Sequence, residues 1–364
     1  MKNKKVVLAT GIYPPDIGGP ATYVKKLEEE FKDRLWNVSI VAYGDKKIIN
    51  KDFIVISRKQ FFLFKYVNYF YHLWRASFRG DFIYAFDLGS SGFSAFIVSL
   101  LTFKPLVLRI GGDLLWEGKA LRGYKKSMDD FYNLGEYRCF KFFIMKLILK
   151  RAKVVFIPAQ SLAYIYKKYY GVSEDSLNIL PNVVEVRAYQ KNNTGTKKIL
   201  FAGRLVQYKN IDVLIKLVKD INYETYIVGN GPEKKYLEDL IKENNLENKV
   251  WIYNYLPKND LYELIKSCDL GISLSQVEYN PNFILECLSF GLPVLLNKDN
   301  GLTLKLPEEF LVDVNSGSDI KNKINYIFDN YDKSLDLVKE YFKPYSFEES
   351  FESMMNFLNK KSIC

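Results

Sequence analysis

Two glutamates with seven residues between them, Glu278 and Glu286, are the first residues in this sequence whose type and spacing suggest chemistry. They flank a loop and an apolar stretch that ends in Gly and Pro, which predicts a loop followed by a helix. Pro281 suits a helix start, so the first turn would offer free backbone N–H groups to an anion or to sugar hydroxyls. The residues of this turn are Asn282, Phe283 and Ile284. The alternative is a pair of solvated carboxylates on either side of a helix.

Two cations, Arg204 and Lys209, lie on one predicted loop that runs from Gly203 to Asn210. This loop follows the predicted strand Lys198 to Ala202, so both side chains would lie near the carboxyl end of that strand. Two cations there can hold a diphosphate and stabilise the charge that develops on a leaving group. Asn210 is a good N-cap for the helix that follows. Surface salt bridges are the alternative for this pair.

The first half of the chain contains two glycine-containing loops that also follow predicted strands. Gly18 and Gly19 leave room for a ligand to approach the backbone, although a plain strand-to-helix connection is the alternative. Asp113 follows a strand directly and could bind a substrate hydroxyl or act as a base. It could equally cap the next turn.

Two further turns in the second half are weaker candidates for ligand contacts. Gly231 lies in a tight turn after a strand. Tyr253 and Asn254 follow another strand, and their loop could hold a nucleobase by stacking and backbone hydrogen bonds. Aromatic turns are common, so this pattern alone is not specific.

Short apolar strands separated by helices position all these residues. The alternation predicts an α/β fold with parallel, doubly wound sheets, in which ligands bind beyond the carboxyl ends of the strands. The first-half loops that start at Gly11, Asp87 and Gly111 are therefore site candidates. A polar stretch from Glu185 to Lys197 predicts a linker, after which a new strand and helix series begins.

Length and charge limit the class of protein. The 364 residues fit two domains, and the net charge of +10 favours an anionic partner such as nucleic acid, an acidic membrane face or a phosphorylated substrate. The four cysteines show no metal or redox spacing, so we expect buried free thiols and a reducing compartment. Met1 to Lys5 leads directly into a strand-like run, and no apolar run reaches the ~20 residues of a spanning helix.

Two predicted helices combine many aromatic residues with Lys and Arg. In Arg58 to Arg79 the aromatics cover most of the helix circumference, which is more than one core face needs, and Arg138 to Lys153 has a similar composition. Such helices can lie in a bilayer interface, and ordinary packed helices with solvated cationic tails are the alternative. His72, the only histidine, lies in the first stretch, where a packed or interfacial side chain is expected rather than a catalyst.

The ordered set of motifs resembles the family 4 retaining glycosyltransferases, which have the GT-B fold of two Rossmann-like domains facing a cleft. The resemblance covers nearly the whole chain. The motifs that carry it are the Gly18 and Gly19 loop, Gly203-Arg204-Leu205 with Lys209, Gly229-Asn230-Gly231-Pro232, the two glutamates, Gly291-Leu292-Pro293-Val294 and Tyr345-Ser346-Phe347-Glu348. It implies an acceptor-side domain over residues 1–184, a nucleotide-sugar-binding domain over 185–344, and a closing helix over 345–364 that returns to the first domain.

The resemblance also implies residue roles. Arg204 and Lys209 would bind the donor's diphosphate, Glu286 would hold the ribose, and Glu278 would lie beside the donor sugar. The glycines of the first loop would let the first domain close over that sugar. Transfer with retention by same-face attack needs no metal and no cofactor, because the leaving phosphate takes the acceptor's proton.

This sequence departs from the family pattern at three positions. The histidine that usually follows the strand at Leu106 to Ile110 is missing, and Asp113 could replace part of its role. Asn210 and Asn254 stand where glycines are usual, and asparagine tolerates the left-handed conformation better than most residues.

The combined reading is a retaining, metal-independent glycosyltransferase of cell-envelope polysaccharide synthesis. It would use a nucleotide-diphosphate sugar donor and a lipid-linked or glycan acceptor, bind no nucleic acid, and lie in the cytoplasm against the inner face of an anionic membrane. A nucleotide-sugar 2-epimerase of the same fold and a non-catalytic membrane- or glycan-binding relative are the alternatives.

Overall fold

The computed structural model describes residues 4–16, 18–124, 126–185, 187, 197–219 and 223–364, with the backbone alone at Phe62. Most of the predicted linker, Glu185 to Lys197, lies outside these residues. The chain divides into two compact units. Unit 1 comprises the described residues within Met1–Leu115, Tyr132–Pro181 and Phe347–Cys364, and unit 2 those within Trp116–Phe131 and Asn182–Ser346.

Unit 1 is built on an eight-stranded sheet. Its strands are β1 (Lys5–Thr10), β2 (Asn37–Gly44), β3 (Ile48–Ile49), β4 (Phe53–Ser57), β5 (Phe82–Ala85), β6 (Leu106–Arg109), β7 (Val154–Ile157) and β8 (Leu177–Ile179). Its helices include α1 (Gly19–Asp33), α2 (Phe62–Ser77), α3 (Ser90–Thr102), α6 (Phe140–Arg151), α7 (Gln160–Ile165) and α14 (Phe347–Lys360). Two short helices, α4 (Leu114–Ala120) and α5 (Met128–Asn133), lie across the boundaries of the two units.

The sheet of unit 1 is parallel except at one edge. Its order is β3-β4-β2-β1-β5-β6-β7-β8, and β3 alone pairs antiparallel, with β4. Helices α1 and α14 share one core cluster with Val6 and Leu8 of β1, and Phe351 packs edge-on against Phe31 with ring centroids 5.0 Å apart. Helices α2 and α3 contact the same strands but contribute nothing to that cluster, so they cover the other face of the sheet.

Unit 2 is built on a six-stranded sheet. Its strands are β9 (Lys198–Ala202), β10 (Glu224–Val228), β11 (Val250–Tyr253), β12 (Leu270–Ser273), β13 (Val294–Asn297) and β14 (Leu311–Val312). Its helices include α8 (Ile211–Val218), α9 (Lys234–Glu243), α10 (Lys258–Ser267), α11 (Asn282–Ser289), α12 (Gly317–Asp329) and α13 (Tyr331–Tyr341).

The strand order of unit 2, β11-β10-β9-β12-β13-β14, is that of a dinucleotide-binding fold. The inner strands are buried on both faces, which explains why they appear in sequence as unbroken apolar runs. The predicted α/β class with two doubly wound parallel sheets is confirmed. The two-residue strands β3 and β14 are not predicted from sequence, because two residues are too few to show a period.

Candidate functional site

The strand order of unit 2 reverses between β9 and β12, and that switch point is where ligands bind in such sheets. The loop after β9 carries Arg204 and Lys209, and the segment after β12 carries Glu278. Arg204, Lys209 and Glu278, which the sequence analysis selected as candidates, therefore follow the two strands that flank the switch point.

Lys209 and Glu278 are joined across this switch point. The Lys209 Nζ lies 2.6 Å from the Glu278 Oε1, and only 17% and 10% of the two side chains are exposed. The Ser273 Oγ, at the end of β12, donates a second hydrogen bond of 3.0 Å to the same carboxylate oxygen. The cation predicted for the diphosphate and the carboxylate predicted for the donor sugar thus form one charged pair. Ser273 is missed from sequence, although a polar residue ending a buried strand is a usable signal.

Arg204 differs from Lys209 in its surroundings. Its side chain is exposed, and no carboxylate among the described residues lies within salt-bridge distance of it. For Arg204 the alternative of a surface salt bridge is therefore not observed. Its guanidinium is available to an anion from solution.

The loop after β9 is joined to the segment after β12 by one backbone hydrogen bond and one from the Asn210 side chain. The Gln276 N–H donates to the Tyr208 carbonyl, and the Asn210 amide donates to the Leu274 carbonyl, each over 2.9 Å. Asn210 occupies the N-cap position of α8 as predicted, but its side chain does not cap the helix. Its φ of 52° confirms that asparagine adopts the left-handed conformation there.

Three glycines are required by close backbone packing around this site. A Cβ at Gly301, where φ is +66°, would lie 2.2 Å from the Glu278 carbonyl oxygen. A Cβ at Gly229 would lie 1.9 Å from the Gly203 carbonyl oxygen, and one at Gly231 would lie 2.1 Å from the Leu205 carbonyl oxygen. The turn at Gly231 therefore supports the cation-bearing loop through direct contact.

Helix α11 begins at Asn282, with Pro281 in the N-cap position, as predicted. No side chain caps this helix and its first turn has no acidic residue, so its N–H groups and positive dipole end remain available to an anion. Asn282 is exposed, Phe283 is half-buried and Ile284 is buried. Phe283 and Ile284 can therefore offer a ligand their backbone more readily than their side chains.

Glu286 lies on α11 within a cluster that was not found from sequence. Burial raises the pKa of Glu286, while the positive charges of Lys258 and Arg187 and a hydrogen bond from Tyr262 oppose that rise. The Arg187 guanidinium lies 4.1 Å from the centre of the Tyr262 ring. The second glutamate is thus partly desolvated among cations, which differs from the solvated carboxylate of the alternative reading.

Tyr253 is the last residue of β11 and Asn254 follows it, two strands away from the switch point. Both are exposed, and the Tyr253 ring is nearly parallel to that of Tyr226, with centroids 6.4 Å apart. The Lys234 Nζ lies 2.5 Å from the Asn254 Oδ1. Asn254 has no positive φ, so this position does not need the conformational freedom of glycine.

In unit 1 the glycine loop after β1 is held by a residue that sequence reasoning placed elsewhere. Arg58 makes a two-pronged ion pair with Asp16 and donates to the Gly11 carbonyl over 3.1 Å. Gly18 is the N-cap of α1 with a φ of 148°, and Gly19 is the first residue of the helix. Helix α1 has no side-chain cap, so the backbone N–H groups of its first turn are a second potential binding place for an anion.

Asp113 is fully buried in unit 1. It accepts hydrogen bonds from the Leu115 N–H, over 3.0 Å, and from the Tyr132 hydroxyl. Burial and the charge of Asp113 raise the pKa of Tyr132 and of its neighbour Tyr170, so both stay protonated. The turn-capping role that the sequence left open for Asp113 is the one these contacts describe, and a direct contact with a substrate hydroxyl has no support in them.

The loop that starts at Asp87 is also closed by its own hydrogen bonds. The Asp87 carboxylate accepts from the Gly89 N–H over 2.6 Å and from the Ser91 hydroxyl over 2.5 Å. It also accepts from the Ser91 N–H, in the first turn of α3, over 3.1 Å, and so satisfies a free N–H at the start of that helix. Of the three first-half loops, this one and the glycine loop flank the switch point between β1 and β5.

Comparison with known proteins identifies the domain that carries the Lys209–Glu278 pair. Residues 184–343 match the family described as Glycosyl transferases group 1. This part of the chain is therefore similar to the group 1 glycosyltransferases. The match contains the cation-bearing loop, both glutamates and the Gly301 turn.

The chain is also similar to individual proteins over larger parts of its length. The chain is 26% identical over 236 residues to Protein CapJ of Staphylococcus aureus, with 60% of this chain and 56% of CapJ covered. It therefore spans about half the length of that relative. It is 23% identical over 330 residues to the O-antigen biosynthesis glycosyltransferase WbnH of Escherichia coli, with 87% of this chain and 88% of WbnH covered.

A solved structure confirms the fold over the whole chain. The structure of HepE from Anabaena, in complex with UDP and glucose, superposes with a TM-score of 0.73 at 16% identity. The superposition covers 98% of this chain and 100% of HepE. The expected GT-B fold is thereby confirmed.

Proposed function

We propose that this protein is a retaining glycosyltransferase that moves a sugar from a nucleoside diphosphate sugar to a lipid-linked or glycan acceptor. The single observation that carries the proposal is the Lys209–Glu278 pair across the switch point of unit 2, with Arg204 exposed on the same loop. This arrangement lies inside the group 1 glycosyltransferase domain. Nucleotide-sugar chemistry needs cations for a diphosphate and oxygen acceptors for sugar hydroxyls, and this site combines both.

The donor's diphosphate would bind to Arg204, to Lys209 and to the first-turn N–H groups of α11. Arg204 has no competing carboxylate among the described residues, whereas Lys209 must share its charge with Glu278. As the bond to the sugar breaks, negative charge grows on the leaving diphosphate, and donors fixed beforehand stabilise it most in that state. Both cations would therefore stabilise the transition state of sugar transfer more strongly than they stabilise the bound nucleotide.

The nucleoside would bind at Glu286 and the loop at Tyr253. A carboxylate can accept hydrogen bonds from two ribose hydroxyls, which requires Glu286 in its charged form. Lys258 and Arg187 favour that form against the effect of burial. The exposed ring of Tyr253 offers a stacking surface for a base.

Retention would follow from attack on the same face of the sugar that the diphosphate leaves. The acceptor hydroxyl oxygen bonds to the anomeric carbon, the bond from that carbon to the diphosphate oxygen breaks, and the departing oxygen takes the hydroxyl proton. Glu278 would lie beside the donor sugar and hold both Lys209 and sugar hydroxyls in place. This scheme uses side-chain cations for the charge and assigns no role to a metal or cofactor.

The named relatives favour this substrate class. WbnH is named for O-antigen biosynthesis, and the HepE structure contains UDP and glucose. We extend to this chain a nucleotide-sugar donor and an acceptor of the cell-envelope saccharide type. In unit 1, Gly18 and Gly19 remain predicted donor contacts.

Release of nucleoside diphosphate by the purified protein tests the proposal. Nucleotide sugars are screened by thermal shift, and the best donor is then assayed with and without a lipid-linked saccharide. Release that depends on the acceptor, with an unchanged anomeric configuration by proton NMR, is expected. Release of free nucleotide with an altered sugar but no acceptor product would indicate the epimerase instead. Donor binding without any turnover would leave a non-catalytic relative.

A further inference from the structure

Helix α2 in unit 1 has two apolar faces. Tyr69 and Leu73 are buried against the sheet, and the Tyr69 hydroxyl donates to the Val41 carbonyl over 2.9 Å. Phe64, Val67 and Tyr71, at spacings of three and four residues, are exposed, with 67% of Phe64 accessible. By helical geometry these residues lie on the side of α2 opposite the buried face. The aromatic surplus seen in the sequence is therefore an exposed stripe.

The two helices next in the layer repeat this pattern. Helix α3 contacts both α2 and α6, and the Arg151 guanidinium at the end of α6 donates to the Ser99 carbonyl of α3 over 2.9 Å. On α6, Phe140, Phe143 and Leu147 are exposed at spacings of three and four residues. The exposed apolar residues of α3 and its end are Phe93, Leu100, Leu101 and Phe103. Three adjacent helices thus expose large apolar side chains, which monomeric proteins seldom do over a wide area.

The charge on these helices has one sign. The 16 residues of α2, the 13 of α3 and the 12 of α6 contain no Asp or Glu, although the chain has 42 acidic residues. Basic residues lie within and around the same helices: Lys59, Lys65, Arg75, Arg79, Arg138, Lys141, Lys146 and Lys150. The face formed by α2, α3 and α6, here called the basic apolar face, therefore combines exposed apolar side chains with cations, and the three helices themselves contain no carboxylate.

We propose that the basic apolar face docks unit 1 onto the surface of an anionic lipid bilayer. Aromatic and aliphatic side chains would enter the boundary between headgroups and acyl chains, while Lys and Arg contact the acidic headgroups. No helix among the described residues is long and apolar enough to span a membrane, so the contact is interfacial. This inference concerns binding alone and does not depend on the transfer of a sugar.

Charge complementarity favours a bilayer over a second copy of the chain. A symmetric dimer through this face would bring the same cations of two copies together with no carboxylate from the three helices to balance them. An acidic lipid surface supplies the missing negative charge and also accepts the apolar side chains. Self-association through the face is the competing outcome of the test.

Vesicle flotation of the full chain, without donor or acceptor, tests the inference. Vesicles of phosphatidylcholine alone are compared with vesicles that also contain phosphatidylglycerol. Substitution of Lys59, Lys65, Arg75 and Arg79 by Glu should abolish binding, since loss of each cation near an anionic surface lowers partitioning about fivefold. The matched control replaces Lys216, Lys235, Lys333 and Lys339 of unit 2 by Glu, which changes the net charge equally and should leave binding within about threefold of wild type.

A second variant separates apolar insertion from charge. Replacement of Phe64, Phe140 and Phe143 by Ser keeps every cation and removes side chains that are already exposed, so folding should be preserved. In about 1 M salt, where the electrostatic screening length is only about 3 Å, we expect this variant to bind anionic vesicles at least tenfold more weakly than the wild type. Unchanged binding by this variant, equal loss in the unit 2 control, or no binding by wild type would overturn the inference. A wild-type dimer that the Ser variant dissociates, with no vesicle binding, would assign the face to self-association instead.

Discussion

The Lys209–Glu278 pair allows the catalytic and structural parts of the proposal to be separated by two isosteric substitutions. Lys209→Met removes the cation and keeps most of the side-chain volume, while Glu278→Gln removes the charge and keeps the shape. The double variant contains neither charge. Because the two side chains lie 2.6 Å apart and are largely buried, their effects on stability should not be additive.

The magnitudes follow from what each change leaves behind. Removing one partner of a buried ion pair costs about 3–5 kcal/mol, and partial exposure with the remaining Ser273 hydrogen bond reduces this to about 2–3 kcal/mol for Lys209→Met. The double variant should lose only about 1 kcal/mol, because no uncompensated charge remains. Turnover should fall by about 10²–10³ in Lys209→Met and should stay low in the double variant.

The test is to measure urea unfolding and turnover at saturating donor for the wild type, the two single variants and the double variant. Glu278→Gln alone should damage transfer without weakening nucleoside diphosphate binding by calorimetry, since Lys209 no longer shares its charge. Recovery of turnover in the double variant, or a Lys209→Met protein as stable as wild type, would refute this division of roles.

Three further predictions concern the same unit. Arg204→Ala should lower turnover by about 10²–10³ with an unchanged urea midpoint, since its side chain is exposed without an ion pair among the described residues; a lowered midpoint would contradict this. Gly301→Ala should destabilise the protein by about 1–3 kcal/mol in urea unfolding, because its Cβ would meet the Glu278 carbonyl, whereas Gly118→Ala, which meets nothing within 4 Å, serves as control. Glu286→Gln should weaken nucleoside diphosphate binding in calorimetry yet stabilise the fold at neutral pH. Burial raises the folded pKa of Glu286, so wild type loses stability as pH rises from the ordinary carboxyl pKa through the raised one, and the difference between the proteins should vanish below that window.

Much of the unit 2 site could be predicted from sequence because its signals are local. Gly203 and a cation-bearing loop after an apolar run mark the end of β9, and Pro281 marks the start of α11. Pairing of Lys209 with Glu278, 69 residues apart, could not be predicted in this way. It depends on β12 lying beside β9, which is a property of the sheet order rather than of either segment.

The contacts of two residues, Arg58 and Asp113, could not be predicted from the sequence, and the reason is the same for both. Arg58 seemed to open an aromatic helix, yet it holds the glycine loop through Asp16. The sequence left Asp113 open between a substrate contact and a turn cap, and it did not indicate that Tyr132 donates a hydrogen bond to Asp113 in the core. In both cases the partner comes from a distant part of the chain, so no local pattern contains the information.

By itself the sequence determined the alternating strands and helices and the loops that contain the candidate site residues. It also determined the absence of acidic residues from α2, α3 and α6 and the surplus of aromatics on α2. These features depend on apolar period and composition, which are properties of consecutive residues. The tertiary structure decided which loops meet at a switch point, which carboxylates are paired or buried, and which face of α2 remains exposed. Those outcomes are set by strand order and by the packing of helices on the sheet, since both depend on contacts between segments far apart in the chain.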